Sequence, residues 1–143
     1  MGAPHPVSHR AAIDIGSNSL LLVVVDADGR VVHDEVTVVG LGRGLGERGV
    51  MAPDRLQAAE KVLTSYAATA RTFGVEPWSV RAVATSAARR ALNAETFFAR
   101  IQRDIGLRVR IVSGEEEALL TWRGALVDLP APTPPLLVVD LGG

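Results

Sequence analysis

The sequence predicts an α/β domain: a mixed sheet that opens as an antiparallel β-β-β meander, continues as β-α units, and carries helices on both faces. Three observations lead there. Apolar runs Ala11–Ile15, Leu20–Asp26 and Val31–Val39 follow one another across short polar turns. Downstream, strand-like and helix-like stretches alternate as far as Leu136–Asp140. The chain has 143 residues, 48% of them hydrophobic and 22% charged, which suits one domain with its own core.

Each element follows from local chemistry. Gly16-Ser17-Asn18-Ser19 turns the first strand into the second. Asp28-Gly29 marks the next hairpin, because both residue types tolerate positive φ. Five glycines between Gly40 and Gly49 predict a mobile loop. Pro53 and Asp54 suit a helix start, and Leu56, Ala59, Leu63, Tyr66, Ala67 and Ala70 recur at helical spacing until Gly74. Val80–Ala84 reads as a buried strand and Ser86–Leu92 as a short helix. Asn93 is expected to cap a helix over Ala94–Ile105, with Gly106 ending it. Val109–Val112 is the next strand. Ser113-Gly114-Glu115-Glu116 has the form of a capping box for a helix reaching about Val127. Pro130, Pro132, Pro134 and Pro135 predict a stiff loop, and Leu136–Asp140 a final buried strand. Residues 1–10 are expected to form a flexible tail and residues 11–143 the domain. Crossovers in the parallel half are expected to be right-handed.

Composition excludes several classes. Without cysteine there is no disulfide, thiolate zinc site or cysteine nucleophile, and the chain fits a reducing cytoplasm. Fifteen basic against sixteen acidic residues give no argument for nucleic acid or an anionic membrane. The longest apolar run, Leu20–Val25, falls far short of the roughly 20 residues a bilayer span needs. His5, His9 and His33 lack metal-ligand spacing. Neither a Gly-x-Ser-x-Gly elbow nor a Walker-type lysine loop is present.

Four constellations could carry chemistry. Asp14 ends a strand before Gly16, Ser17, Asn18 and Ser19, whose N–H groups and side chains could cradle an oxyanion. An acid there would repel phosphate unless a cation bridged them, which suggests Mg²⁺. A polar hairpin turn would need the same residues. Val139-Asp140-Leu141-Gly142 repeats the pattern. Thr85-Ser86-Ala87-Ala88-Arg89-Arg90 follows a strand and opens a helix, whose free N–H groups attract anions, and Arg89 and Arg90 offer planar donor forks or a merely solvated pair. Among Glu115, Glu116 and Glu117, dipole and capping account for the first two, while Glu117 stands further in and could serve as a general base.

At these motifs the chain resembles the exopolyphosphatase / guanosine-pentaphosphate phosphohydrolase (Ppx/GppA) family of the actin-like, sugar-kinase and heat-shock-chaperone ATPase superfamily. The resemblance rests on Ile13-Asp14-Ile15-Gly16-Ser17-Asn18-Ser19, Ala84 to Asn93, Ile111 to Ala118 and Val139 to Gly143, in family order. It implies a ribonuclease-H-like (actin-like ATPase) domain. It also implies Mg²⁺-dependent hydrolysis of a terminal phosphoanhydride of inorganic polyphosphate or guanosine pentaphosphate. Carried over by position, Glu117 would deprotonate the attacking water, and Asp14 and Asp140 would hold the metal. Gly16, Ser17, Asn18, Ser19 and Gly142 would cradle phosphate, and Arg89 would neutralise charge developing in transfer.

Leu21 and Arg43 depart from the family pattern, where an arginine and an acid are usual; this bears on substrate preference. The resemblance further implies a second domain of similar fold beyond Gly143, so that this chain forms one wall of a two-walled cleft. That domain, and a second copy of the protein, are the expected protein partners. A non-catalytic module binding polyphosphate or guanosine tetraphosphate is the alternative, and a phosphotransferase a weaker third.

Overall fold

In the computed structural model, residues 8–127, 129 and 135–140 are described. β1 (Arg10–Ile15), β2 (Ser19–Val25) and β3 (Val31–Val38) form the antiparallel meander. β4 (Arg81–Ala84) adds parallel to β1, and β5 (Val109–Ile111) parallel to β4, giving the order β3-β2-β1-β4-β5. The helices are α1 (Leu45–Arg48), α2 (Pro53–Thr72), α3 (Ser86–Arg90), α4 (Ala94–Ile105) and α5 (Gly114–Ala125). This is the mixed α/β sheet that the residue pattern implies.

Strand alternation decides what each face does. Ala11, Ile13, Ile15, Leu20, Leu22 and Val24 are buried with Leu63 and Tyr66 of α2 and Phe97, Phe98 and Ile101 of α4. Each such fully buried large apolar side chain contributes about 1.5–3 kcal/mol. The opposite face presents Leu21, Asp14, Val83 and Arg110 as one cross-strand row. α5 meets this face, its Leu120 lining a cavity shared with Asp14 and Val83.

Several local expectations are corrected in detail, some by neighbouring side chains and some by partners distant in sequence. The β2–β3 turn is closed by Asp26, whose Oδ1 accepts the N–H groups of Asp28 and Arg30 at 2.9 Å each. Only Gly29 there takes positive φ, at 85°. The glycine-rich segment is not a simple loop. Gly44 and Gly49, both left-handed, bracket α1, and Leu45 anchors it in the core. It is also tied down: Gly40 and Gly42 N–H donate to the Asn18 and Ser17 carbonyls, each at 2.8 Å.

Asn93 stands at the N-cap of α4, where its carbonyl accepts from Phe97 N–H at 3.1 Å, but its side chain makes no cap hydrogen bond. Its amide spans Met51, accepting from the N–H at 2.9 Å and donating to the carbonyl at 3.0 Å. The capping box is half formed. Ser113 Oγ accepts from Glu116 N–H at 3.1 Å, but the Glu116 carboxylate turns to Arg110.

Of the expected tail, Arg10 belongs to β1 and His9 Nδ1 lies 3.0 Å from the Phe73 carbonyl oxygen. A neighbouring aromatic surface anchors what polarity alone suggested was loose. Leu136–Asp140 forms no strand, and Leu136, Leu137 and Val139 are exposed. An apolar run becomes a buried strand only where a ladder and a covering layer meet it, and the described residues place neither there. Pro130, Pro132 and Pro134 lie outside the described residues.

Tyr66 joins helix to sheet. Its hydroxyl is fully enclosed, donating to the Leu20 carbonyl oxygen at 3.0 Å and lying 2.9 Å from Thr37 Oγ1. Burial pushes its pKa above the ordinary phenol value of 10.0. The unfolded chain therefore ionises first, and stability held below pH 10 is lost as pH rises through the higher folded value. Tyr66→Phe is expected to cost about 1–3 kcal/mol in denaturant unfolding at pH 7. The gap to the unaltered protein should narrow above pH 10.

Candidate active site

The site gathers at the ends of β1 and β4 and the start of α5. Ile13 and Ile15 point into the core, so the pleat turns Asp14 to the other face. Gly16 then reverses the chain, donating its N–H to the Ser19 carbonyl at 2.9 Å. A Cβ on Gly16 would stand 3.0 Å from that oxygen, so this turn needs glycine for space.

The carbonyls of Ser17 and Asn18 are taken by the glycine-rich segment. Their N–H groups have no protein acceptor among the described residues. That leaves a turn with free donors, the arrangement that suits an anion. Ser19 begins β2.

Glu117 sits in the first turn of α5, its N–H bonded to the Ser113 carbonyl at 2.9 Å. Arg89, near the end of α3, reaches it from 28 positions away. Arg89 Nη1 donates to Glu117 Oε2 at 2.7 Å and to the Val112 carbonyl at 2.9 Å. The guanidinium is thus engaged with the Glu117 carboxylate and a strand-end carbonyl. Glu117 Oε1 has no protein partner among the described residues.

Glu116 pairs with Arg110 and Glu115 is exposed, so Glu117 alone of the three acids lines the cavity.

That cavity measures about 240 Å³ and is lined by Asp14, Thr85, Glu117 and Asp140 among others. Burial, then the charges of Glu117 and Asp140, push the Asp14 pKa above the ordinary carboxylate value. Asp14, Glu117 and Asp140 therefore converge as mutually repelling acids, while Gly142 lies outside the described residues.

Three contributors take places in the site that the sequence alone did not assign them. Thr85 is buried against the cavity, and the Val112 carbonyl holds Arg89. Arg43 shares a separate cavity with Ser17, Asn18 and Arg90. Thr85 alone had a local signal, its place between a strand end and a helix start.

The sequence model of the Ppx/GppA phosphatase family matches residues 13–143, the stretch that holds all of these groups. The chain belongs to the Ppx/GppA phosphatase family. It is 39% identical over 145 residues to exopolyphosphatase 2 of Mycobacterium tuberculosis, covering 93% of this chain and 45% of that protein. The chain thus spans about half the length of the curated relatives it matches. The Ppx/GppA family member of Aquifex aeolicus superposes with a TM-score of 0.76 at 35% identity, over 84% of this chain and 40% of that one. An exopolyphosphatase of Cytophaga hutchinsonii gives 0.77 at 27% identity, over 82% and 38%. These solved Ppx/GppA structures share the actin-like arrangement of the sheet.

The acid cluster has a cost in stability. Asp14 ionises near pH 3.8 when unfolded and only at higher pH when folded. Stability is therefore lost as pH rises through that window and stays lost above it. With divalent cations chelated, Asp14→Asn is expected to raise the thermal midpoint at pH 7. The gain should vanish below about pH 3.8, where both forms are neutral. An unchanged midpoint at pH 7 would count against the cluster.

Proposed function

We propose that this domain hydrolyses the terminal phosphoanhydride of a condensed phosphate, inorganic polyphosphate or guanosine pentaphosphate, and releases orthophosphate. The observation that carries the reading is Glu117, held by Arg89 at 2.7 Å in one cavity with Asp14 and Asp140. The names of its exopolyphosphatase relatives support the same chemistry.

In this reading the Gly16–Ser19 turn offers N–H, hydroxyl and amide donors to the terminal phosphoryl group. Glu117 Oε1, the oxygen Arg89 leaves open, takes a proton from a water molecule. The water oxygen bonds to the terminal phosphorus as the bridging P–O bond breaks. The electron pair of that bond leaves with the shortened chain, and the Glu117 proton passes on to solvent. Arg89 fixes the base through Oε2 and keeps a positive charge beside the transferring group.

The donor set also suits a divalent cation. No group of three or more ligands close enough for an all-protein metal cage exists among the described residues. Mg²⁺ does not need one, since it is held through one or two carboxylates plus substrate phosphate and water. Asp14 and Asp140 would be those carboxylates, and the raised pKa of Asp14 marks a place where positive charge is wanting. When bound, the ion would offset the charge of the phosphoryl oxygens.

Among the described residues no helix is long and apolar enough to cross a membrane.

Orthophosphate release from tripolyphosphate and guanosine pentaphosphate, measured with Mg²⁺ on the product of the complete reading frame, tests the proposal. Glu117→Gln is expected to lower the rate by about 10²–10⁴-fold. Saturable binding of either anion without any release would favour the non-catalytic module instead.

A further inference from the structure

A second cavity, of about 230 Å³, opens beside the Gly16–Ser19 turn and is lined by Ser17, Asn18, Gly42, Arg43 and Arg90. The packing beneath it explains the grouping. Gly42 is where three segments touch: a Cβ there would stand 3.2 Å from Ser17 Cβ and 3.6 Å from Ala87 Cβ. That contact brings the glycine-rich segment and α3 against the turn, one arginine on each.

Adjacent residues of a helix point about 100° apart. Arg89 turns to Glu117, and Arg90 turns instead toward Ser17 and Asn18. Arg43 is seated by a neighbouring glycine. A Cβ on Gly40 would stand 2.6 Å from Arg43 Nε, so the arginine stem occupies the space a side chain would need.

Among the described residues neither Arg43 nor Arg90 has a carboxylate partner. The lining holds two guanidinium groups, a hydroxyl and an amide, with no acid and no aromatic ring. Such a surface recognises phosphoryl oxygens by charge-assisted forks. It holds no aromatic ring to enclose a nucleobase and no carboxylate to accept from the N–H edge of guanine.

We infer that Arg43 and Arg90 form a second phosphoryl subsite. It holds the inner groups of a linear inorganic polyphosphate while the terminal group lies in the Glu117 cavity. This selects chains of linked phosphoryl groups over both orthophosphate and guanosine nucleotides. The inference rests on the hydrolytic reading above for the direction in which the chain lies.

Calorimetric titration of the 143-residue chain with orthophosphate, tripolyphosphate and guanosine tetraphosphate, in Mg²⁺ at fixed ionic strength, is the test. Tripolyphosphate is expected to bind about tenfold or more tightly than orthophosphate, the scale of charge-assisted hydrogen bonds. The double variant Arg43→Ala/Arg90→Ala should lose that margin and keep its orthophosphate affinity. Arg43→Lys/Arg90→Lys should keep part of it, which shows that the alanine loss is not misfolding.

Three results would overturn the subsite. These are undiminished tripolyphosphate binding by the alanine variant, an equal loss for orthophosphate, or tighter binding of guanosine tetraphosphate than of tripolyphosphate. Failure of the hydrolytic reading looks different: orthophosphate release is absent while the arginine-dependent margin remains.

Discussion

The pleat of β1 is the constraint on which the rest depends. β1 lies at the centre of the sheet, with β2 on one side and β4 on the other. Ile13 and Ile15 are nearly inaccessible to solvent, so their burial holds the strand in one register. Asp14, between them, has no choice of face. A slip of one residue would drive its carboxylate into the core and turn two isoleucines outward. The same register delivers Gly16 to the point where the chain reverses beneath the glycine-rich segment. Core packing therefore aims the acid and places the Gly16–Ser19 turn in one stroke.

α5 is held by different means. None of its side chains is buried, so an apolar face does not seat it. Its start is fixed by Ser113 accepting from Glu116 N–H, by the Arg110–Glu116 pair, and by Arg89 bridging Glu117 to the Val112 carbonyl. Exposed ion pairs contribute little each, because water and salt screen them. Together they determine direction more than stability. The core-anchored Asp14 and the polar-anchored Glu117 meet in one cavity, so the site joins a rigid wall to a softer one.

How much of this was legible depends on the range of the interaction. Short apolar runs bounded by turn residues reveal β1, β2 and β3, because each pattern is complete within a few residues. Gly74 and Gly106 end their helices by left-handed conformations that need no distant partner. Asn93 misled because its amide finds Met51, 42 positions away, in place of its own helix. Glu116 misled because Arg110 outcompeted the Ser113 backbone. Asp14 and Glu117 stood out as acids at a strand end and a helix start. Arg43 showed only as a departure from the family pattern, since its surroundings exist only once two loops have met. Leu136–Asp140 shows the converse, apolar residues without the layer that would make a strand of them.

Gly42 has a consequence for how this protein can vary. Its missing side chain is a volume held in common by the turn, the glycine-rich segment and α3. A methyl group added at position 42, a larger residue at 17 or a larger one at 87 would each draw on the same few cubic ångströms. These three positions are thus bound by a common size limit, although they lie far apart along the chain. A change at any one of them constrains the other two, and with them the spacing between the Gly16–Ser19 turn and the two neighbouring arginines.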